Sequence, residues 1–564
     1  MRKNCINQLI GISLNNDMNL KLTICLVIIA VTSIKAQQIH LQIANGPILG
    51  KSGYTAGSNK PWSMFLGIPY AEQAKRFQLA KEKQPWTEEI DCTYDKPACV
   101  QGSPVKGSED CLTLSVYTPN IQGSYPVLVW IHGGYFTKGN GSYAAQPPDN
   151  LVDEGIVFVQ IQYRLGIFGF LSTEDLACTG NLGLKDQQLA LQWVQKNIQY
   201  FGGDPTRVTL GGQSAGAVSA SLHLLSPKSK GLFHAMITNS GSPLNLWALN
   251  RRARETAFGI GTALGIVTTN STKLIEALKL KNYVDLQTAS ENVSTGVTLE
   301  NPLAGIYYGY VPEVDNPDAF FTGKSEQQLS AGSFQNVPLL LGTTSDESIL
   351  FGDLIGFMRL YFLQYEGIPS RLAPYDLTKD FLKLSLAGQA IKNQFFPTTT
   401  IISQDQQFLH FVSSDQFDRP IWKFGTHVSN YQSKTYYYEF AYKGPTGDDL
   451  ATASDGVGHG ADLNYLFFNY NLTSPADDKL TALRLARLWA NFVKTQNPTP
   501  SSDSLLGNVQ WLPMRSGTSS DLNYFNINAT LTPSVNYKNE DMQFWNSPGS
   551  GIYPVYGEPP YDTY

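Results

Sequence analysis

The sequence predicts an α/β fold in which helices cover a mostly parallel central sheet. Strand-like runs such as 126–131 alternate along the chain with helical runs such as 186–200 and 479–495, and this alternation is typical of parallel sheets. Hydrophobic residues make up 42% of the 564 residues, which is enough for a large core. Length alone favours three or four domains. Because motifs that must act together lie far apart in the chain, one large domain is the simpler prediction.

The pentapeptide 212–216, Gly-Gln-Ser-Ala-Gly, is the most informative element of this fold. It follows a strand-like run, 207–211, and precedes a helical run, 217–225. A G-x-S-x-G sequence in this setting holds its serine on a tight turn, and the glycines avoid clashes with the neighbouring elements. A chance match in a chain with 49 glycines is the alternative. The setting favours Ser214 as a nucleophile.

A second glycine-containing motif follows the strand-like run 126–131. Its sequence, His-Gly-Gly-Tyr-Phe at 132–136, resembles the HGGG-type loop that forms an oxyanion hole in esterases. Acyl transfer places negative charge on a carbonyl oxygen, and removing one donor to that oxygen costs about 3 to 4 kcal/mol. By position, the expected donors are the N–H groups of Gly134, Tyr135 and Ala215. An ordinary Gly-Gly turn is the alternative.

A serine nucleophile needs a base, and the order serine, acid, histidine is expected along the chain. His459 lies in a glycine-rich loop after the strand-like run 435–442. His410 lies in an apolar stretch, which favours a packed side chain, and His427 comes one element too early. We therefore predict His459 as the base.

The acid is expected after the strand-like run 337–342. Asp346 and Glu347 both follow this run, and either carboxylate could orient the imidazole and stabilise its cation. The residues alone do not separate the two neighbours, and a solvated acidic turn is the alternative.

Together these motifs resemble the type-B carboxylesterase family, which includes cholinesterases, fungal lipases and the inactive neuroligins. The resemblance continues in order along most of the chain, through segments 65–71, 108–112, 181–187, 201–205 and 543–545. It implies the α/β-hydrolase fold, with large helical and loop insertions at 250–335 and 351–433 that form a gorge. It also implies a triad of Ser214, His459 and Glu347.

The same resemblance implies a disulfide between Cys99 and Cys111. Four cysteines remain after removal of an N-terminal signal, and four cysteines allow three pairings. The other two, Cys92 and Cys178, are expected to pair with each other or to remain free.

Departures from the family pattern bear on the substrate. Tyr135 stands where relatives usually have a third glycine, and we expect its phenol to crowd the acyl pocket or the gorge. Gln213 stands where most relatives have glutamate, which removes a negative charge that would favour cationic substrates. The loop 99–111 lacks the tryptophan on which cholinesterases stack choline. Trp247 and Tyr308 resemble pocket residues of the family, with ordinary aromatic core as the alternative.

Composition excludes several other kinds of function. The net charge of −6 and the lack of a Lys/Arg run argue against a nucleic-acid partner. The cysteines lack C-x-x-C spacing and the histidines are scattered, so we predict no metal and no cofactor. The expected partner is a small-molecule ester, and no prediction is made for the oligomeric state.

The N-terminal segment predicts secretion. Arg2, Lys3 and Lys21 precede an apolar run, 22–31, which has the length of a signal-peptide core and is short for a membrane span. We predict a signal peptide at 1–36, an α/β-hydrolase domain at 37–547 and a flexible tail at 548–564, with an uncleaved signal anchor as the alternative. The expected location is outside the cell or in a secretory lumen, without a stable membrane anchor. Five sequons fit a glycosylated surface: Asn140, Asn270, Asn292, Asn471 and Asn528.

The sequence therefore predicts a secreted serine carboxylic-ester hydrolase that acts on neutral esters through an acyl-enzyme. One alternative is a weak or inactive adhesion or structural protein of the same fold, for which Tyr135 is the best argument. Adhesive relatives typically lack the serine, which this chain retains. A lipase is a further alternative, although no apolar lid is identifiable in the sequence.

Overall fold

The computed structural model describes residues 37–300, 303, 308–373, 380–397, 400–445, 456–467, 474–515 and 520–546. The predicted signal peptide at 1–36 and tail at 548–564 lie outside the described residues, as does Asn471. Within the described part, thirteen strands form one sheet. The strands are β1 Gln38–Gln42, β2 Pro47–Tyr54, β3 Pro61–Pro69, β4 Ile90–Asp91, β5 Thr113–Thr118, β6 Tyr125–Ile131, β7 Val157–Ile161, β8 Gly203–Gln213, β9 Ala235–Asn239, β10 Leu339–Thr344, β11 Thr435–Phe440, β12 Asn523–Ile527 and β13 Leu531–Val535.

Helices connect most of the central strands, as the alternation in the sequence predicts. They are α1 Asp149–Asp153, α2 Gly166–Phe170, α3 Leu182–Asn197, α4 Ala215–Leu225, α5 Ala253–Ala263, α6 Ser271–Lys279, α7 Tyr283–Glu300, α8 Ser325–Ser330, α9 Ile355–Gly367, α10 Phe381–Phe395, α11 Asp405–Ser413, α12 Arg419–Ser429, α13 Ala461–Leu466, α14 Ala476–Thr495 and α15 Asn539–Asn546. A π-helical turn, Ser414–Asp418, joins α11 to α12.

The sheet has the order β1-β2-β3-β5-β7-β6-β8-β9-β10-β11-β12-β13, with β4 paired to β2. The seven strands from β7 to β12 along this order are mutually parallel. The remaining pairs along the order are antiparallel, and β4 is parallel to β2. The chain passes from β6 to β7 on one side and then returns to β8 on the other side. Binding sites in such sheets lie at the carboxyl ends of the strands where the order reverses. The turns after β6 and β8, which carry the two glycine motifs, meet at that point.

Both faces of the central strands are buried, which explains their continuous apolar sequences. In β6, Val127, Val129 and Ile131 face one core, to which α3 and α4 also contribute. Leu128 and Trp130 face the other core, which α14 covers. This alternation follows from the two-residue period of a strand.

The two predicted insertions are largely helical. Residues 250–335 contain α5 to α8, and residues 351–433 contain α9 to α12 and the π-helical turn. The second insertion has an apolar cluster of its own, which includes Phe362, Phe408 and Phe411 together with Trp545 of α15. The second insertion therefore adds a packed helical layer beside the sheet.

The structure shows which of the four cysteines form a disulfide. A disulfide joins Cys99 to Cys111, as the resemblance implies. The possible pairing of Cys92 with Cys178 is wrong, because both are free, buried thiols. The Cys178 thiol donates to the Leu171 carbonyl at 3.1 Å. Burial raises the pKa of each thiol to about 12, so neither thiol is poised to react.

Candidate active site

Ser214 occupies the sharp turn between β8 and α4. Its backbone has φ 56° and ψ −124°, a conformation that costs a residue with a side chain roughly 1 to 3 kcal/mol. The neighbouring backbones hold it there. A Cβ added to Gly212 would lie 2.3 Å from the Gly216 carbonyl oxygen, and one added to Gly216 would lie 2.0 Å from the Ile131 oxygen. The two glycines of the pentapeptide are therefore required by close packing.

His459 and Glu347 form a buried pair at the same edge of the sheet. His459 Nδ1 lies 2.6 Å from Glu347 Oε2, and their side chains are 7% and 0% exposed. The second carboxylate oxygen of Glu347 accepts the Thr344 N–H at 2.8 Å. A carboxylate on Nδ1 keeps the proton on that nitrogen, so the lone pair of the imidazole is on Nε2.

The structure distinguishes the two candidate acids. Glu347 accepts from the imidazole, whereas the Oδ1 atom of Asp346 accepts from the Ser413 hydroxyl at 2.6 Å and from the Ser348 hydroxyl at 3.3 Å. Of the two neighbours, Glu347 is the one placed to orient His459.

The other histidines have structural partners. His223 is buried between Ser229 and Gln187. His427 contacts Glu326 at 3.0 Å. His410 differs from the expectation of a packed side chain, because its ring is 56% exposed and pairs with Asp541 at 2.8 Å. The apolar sequence around it belongs to the buried face of α11.

The side chain of Gln213 lies against the imidazole of His459. Gln213 Nε2 lies 3.0 Å from His459 Nε2. Among the described residues, the Ser214 hydroxyl makes no hydrogen bond. Catalytic contacts of this kind are often open without substrate and tighten in the reacting complex.

The predicted oxyanion loop packs directly against the nucleophile turn. A Cβ added to Gly133 would lie 3.0 Å from Ser214 Cβ. The carbonyl of Gly134 accepts two N–H groups from later in its own loop, at 3.0 and 2.9 Å. The N–H groups of Gly134, Tyr135 and Ala215 have no acceptor within the described part of the chain. Three free amide donors beside a serine suit an oxyanion.

Tyr135 adopts the left-handed conformation that a glycine would accept more readily. Its φ is 57°, and Phe136 follows with a φ of 60°. Phe136 packs on Phe170 with ring centroids 4.8 Å apart, which anchors the loop. The Tyr135 ring is partly buried, with Lys138 Nζ 5.6 Å from its centroid, and burial raises the pKa of its phenol. The substitution therefore keeps the backbone donor and adds an aromatic ring at the site.

An aromatic wall extends from the site into the second insertion. The Phe417 ring lies 5.0 Å from the His459 ring and 5.7 Å from the Trp247 ring. Trp247 Nε1 and Asn245 Nδ2 both donate to the carbonyl of Gln416, at 3.1 and 2.7 Å. A π-helical turn leaves carbonyls outside the usual helical bonding, and such turns are frequent at functional sites. Nothing in the sequence around Phe417 signals this turn.

Tyr308 is less directly connected to the site. It is buried, and its hydroxyl bonds to the Ser290 hydroxyl at 2.6 Å. It belongs to the same apolar core as Trp247. Its contacts are those of an ordinary core tyrosine, which is the alternative that the sequence left open.

A second buried carboxylate lies near Glu347 and His459. Asp462 follows His459 in the first turn of α13, and its Oδ2 atom accepts from Asn239 at 2.9 Å and from Tyr438 at 3.0 Å. Burial, followed by the charge of Glu347, raises the pKa of Asp462 to about 6. Sequence reasoning missed this residue, although an acid placed three residues after the histidine was visible.

Two further findings concern the described residues alone. No cluster of three or more His, Cys, Asp or Glu side chains suited to a metal ion occurs among them. None of their helices combines the length and apolarity that a membrane span requires.

Comparison with known proteins agrees with this architecture. A model of the carboxylesterase family matches residues 37–545. A juvenile hormone esterase of Tribolium castaneum is 32% identical over 83% of this chain and 84% of its own. Esterase FE4 of Myzus persicae is 32% identical over 84% and 86%, and an acetylcholinesterase of Bungarus fasciatus is 31% identical over 93% and 89%.

A solved structure provides the same result for the fold. The crystal structure of juvenile hormone esterase from Manduca sexta, with OTFP covalently attached, superposes with a TM-score of 0.80. The match covers 92% of this chain and all of the other, at 25% identity. The predicted α/β-hydrolase fold is confirmed.

Proposed function

Because the chain belongs to the carboxylesterase family and is a carboxylic-ester hydrolase, we propose that it cleaves neutral esters with a triad of Ser214, His459 and Glu347. The observation that carries the proposal is the buried contact of 2.6 Å between His459 and Glu347, at the edge of the sheet where the Ser214 turn lies. The proposal assigns each residue a separate role.

In acylation, Ser214 Oγ attacks the ester carbonyl while His459 Nε2 takes the hydroxyl proton. Negative charge then develops on the carbonyl oxygen, and the N–H groups of Gly134, Tyr135 and Ala215 stabilise it. Glu347 holds the imidazole in the required tautomer and stabilises its cation. His459 gives the proton to the leaving alcohol.

In deacylation, the same groups act on water. His459 Nε2 takes a proton from a water molecule, which attacks the acyl carbonyl, and the proton returns to Ser214 as the bond to the acyl group breaks. The donors that stabilised the first oxyanion stabilise the second. The products are the carboxylic acid and the free enzyme.

The lining favours an uncharged, apolar substrate. Gln213 contributes no charge, the Phe417 ring lies against His459, and Trp247 packs behind Phe417. Burying a charged group against such a surface without a partner is costly. Relatives from two insects, named juvenile hormone esterase, make juvenile hormone the first natural ester to test. The acetylcholinesterase relatives are weaker guides, because Gln213 replaces the usual glutamate and the loop 99–111 lacks tryptophan.

We further propose that the protein is secreted, with a signal peptide at 1–36, the catalytic domain at 37–547 and a tail at 548–564. The sequons at Asn140, Asn270, Asn292 and Asn528 are partly or fully exposed, which supports glycosylation. The side-chain oxygen of Asn270 caps α6 by accepting the Lys273 N–H. The side-chain nitrogen of Asn270 remains available for a glycan. Asn471 is proposed on its sequence alone. Peptide mapping of the secreted protein before and after deglycosylation tests these assignments.

The test of the proposed activity is hydrolysis of p-nitrophenyl esters from acetyl to palmitoyl by the secreted protein, with Ser214→Ala as control. We expect turnover that the substitution abolishes, with a preference for acyl chains of short or medium length. A palmitoyl optimum at a lipid interface would support the lipase alternative. Turnover no higher than that of Ser214→Ala would support a binding or adhesive role.

A further inference from the structure

We propose that Gln213 is a positioning residue that caps the resting base, so that its side-chain amide must withdraw before Ser214 can use His459. This inference rests on the proposed triad and concerns how that triad is held before the substrate arrives. It starts from the contact of 3.0 Å between Gln213 Nε2 and His459 Nε2.

The hydrogen-bonding pattern fixes the direction of this contact. Glu347 accepts from His459 Nδ1, so Nε2 carries a lone pair and no proton in the neutral ring. The amide nitrogen of Gln213 has hydrogens to donate, and the carboxamide oxygen has none. Gln213 Nε2 is therefore the donor, and His459 Nε2 is the acceptor.

This donor competes with the nucleophile. An imidazole nitrogen has one lone pair, and the Ser214 hydroxyl needs that lone pair to lose its proton. The Ser214 hydroxyl makes no hydrogen bond within the described residues. The Gln213 amide thus uses the lone pair of His459 Nε2 that must accept the serine proton.

The Gln213 amide lies between two glycines and makes one hydrogen bond within the described residues. Its oxygen lies beside Gly133, where an added Cβ would be 2.6 Å away, and its nitrogen lies beside Gly460, where an added Cβ would be 3.3 Å away. The amide therefore lies in a slot between the oxyanion loop and the histidine loop. Its oxygen has no hydrogen-bond partner among the described residues, so withdrawal breaks one hydrogen bond to the protein.

An arriving ester supplies a reason for that withdrawal. In the proposed mechanism the ester carbonyl oxygen is directed to the N–H groups of the oxyanion loop, whose residue Gly133 lies next to the Gln213 oxygen. Two carbonyl oxygens placed side by side repel each other. Binding of the substrate thus favours movement of the amide and frees Nε2 for Ser214.

Glutamate at this position could not act in the same way. A carboxylate only accepts hydrogen bonds, so it favours the protonated imidazole, whereas the Gln213 amide favours the neutral one. The charged and titratable groups around His459 are Glu347 on Nδ1 and Asp462 at the start of α13. Behind them lie Asp418 and Lys538, which are paired at 2.7 Å. Substitution of Gln213 leaves all of these groups in place.

The experiment compares the wild type with Gln213→Met and Gln213→Glu, which have a similar volume, and uses Ser214→Ala as the control for labelling. Each protein is treated with phenylmethylsulfonyl fluoride, an uncharged reagent that modifies activated serines. The second-order inactivation rate is measured from about pH 5 to 9, across the range in which histidine titrates. Mass spectrometry establishes that the label is on Ser214, and thermal melts establish that each variant is folded.

We expect Gln213→Met to react faster than the wild type by roughly two- to tenfold, which corresponds to the loss of one competing hydrogen bond. We also expect the midpoint of the acidic limb to rise from the wild type to Gln213→Met and again to Gln213→Glu. A role in packing alone would not move this midpoint. If Gln213→Met were labelled no faster than the wild type and with an unchanged midpoint, the proposed capping role of Gln213 would be overturned. No Ser214-dependent labelling in any protein would instead overturn the proposed triad.

Discussion

The two halves of the candidate active site are built in different ways. The half formed by the turns after β6 and β8 consists of backbone in close contact. A Cβ added to Gly212 would lie 2.3 Å from a carbonyl oxygen, and one added to Gly216 would lie 2.0 Å from another. The other half consists of buried side chains. Phe417 of the second insertion contacts Trp247, which precedes the first insertion, and Trp247 donates to the Gln416 carbonyl. The first half is constrained by backbone contacts and the second by side-chain packing. The chemistry is therefore constrained by backbone geometry and the substrate preference by packing.

The largest loss of activity is expected from a change at Glu347, whose carboxylate contacts His459 Nδ1. Glu347→Gln keeps the size of the side chain but removes the charge that stabilises the imidazolium and fixes its tautomer. We expect kcat to fall by roughly 10³- to 10⁴-fold with little change in KM, as measured with a short p-nitrophenyl ester.

Asp346→Asn is the matched control for this substitution. It makes the same chemical change one residue earlier, and the new amide oxygen can still accept from Ser413. We expect kcat within a factor of about three of the wild type, as for most changes away from reacting groups. If the two substitutions had equal effects, Glu347 would not be the acid.

A smaller loss of activity is expected when the backbone of the turn after β8 is displaced and every proposed reacting group is kept. Gly216→Ala places a Cβ 2.0 Å from the Ile131 carbonyl oxygen, so the turn must shift. A displacement of about 1 Å costs roughly a hundredfold in rate. We expect that loss in kcat/KM together with a lower melting temperature.

Gly356→Ala is the control, because an added Cβ there meets no atom within 4 Å. This glycine lies in α9, where alanine is favoured by about 1 kcal/mol. We expect unchanged activity and an equal or higher melting temperature. Full activity of Gly216→Ala would show that the close packing of the turn is not required.

The same contrast explains what the sequence could predict. Ser214 and the predicted oxyanion loop were recognisable in the sequence because a strained turn admits few residue types. The spacing of glycines around such a turn is therefore characteristic. The parallel sheet was predictable because strands buried on both faces are continuously apolar. Separating Glu347 from Asp346 needed the family resemblance, since both are acids in one turn. Phe417 could not be predicted, because its position depends on a π-helical turn and on contacts between distant segments.

Changes in the side-chain half should alter substrate preference rather than the chemical step. Phe417→Ala removes the ring that lies between Trp247 and His459. We expect the ratio of kcat/KM for an octanoyl ester to that for an acetyl ester to rise by roughly tenfold, the range in which apolar pockets discriminate. Phe334→Ala removes a partly buried ring that contacts Tyr431 and serves as the control. An unchanged ratio for Phe417→Ala would exclude this wall from the acyl pocket.

The smallest expected effect is on the free energy of unfolding and not on turnover. It concerns Asp462, the buried carboxylate near Glu347. The pKa of Asp462 is raised to about 6 because the group is buried and lies near Glu347. Its protonated form is therefore favoured in the folded state, so the associated stability is present below the unfolded pKa and is lost as pH rises through about 6.

Asp462→Asn keeps an oxygen that can accept from Asn239 and Tyr438 but cannot ionise. We expect this variant to exceed the wild type in free energy of unfolding by about 1 to 3 kcal/mol at pH 7.5, and by much less at about pH 4.5, where both are uncharged at this position. Thermal melts at the two pH values measure the difference. A gain that does not depend on pH would mean that the pKa of Asp462 is the same in the folded and unfolded states. Burial and the charge of Glu347 would then not raise the pKa of this carboxylate, contrary to the expectation.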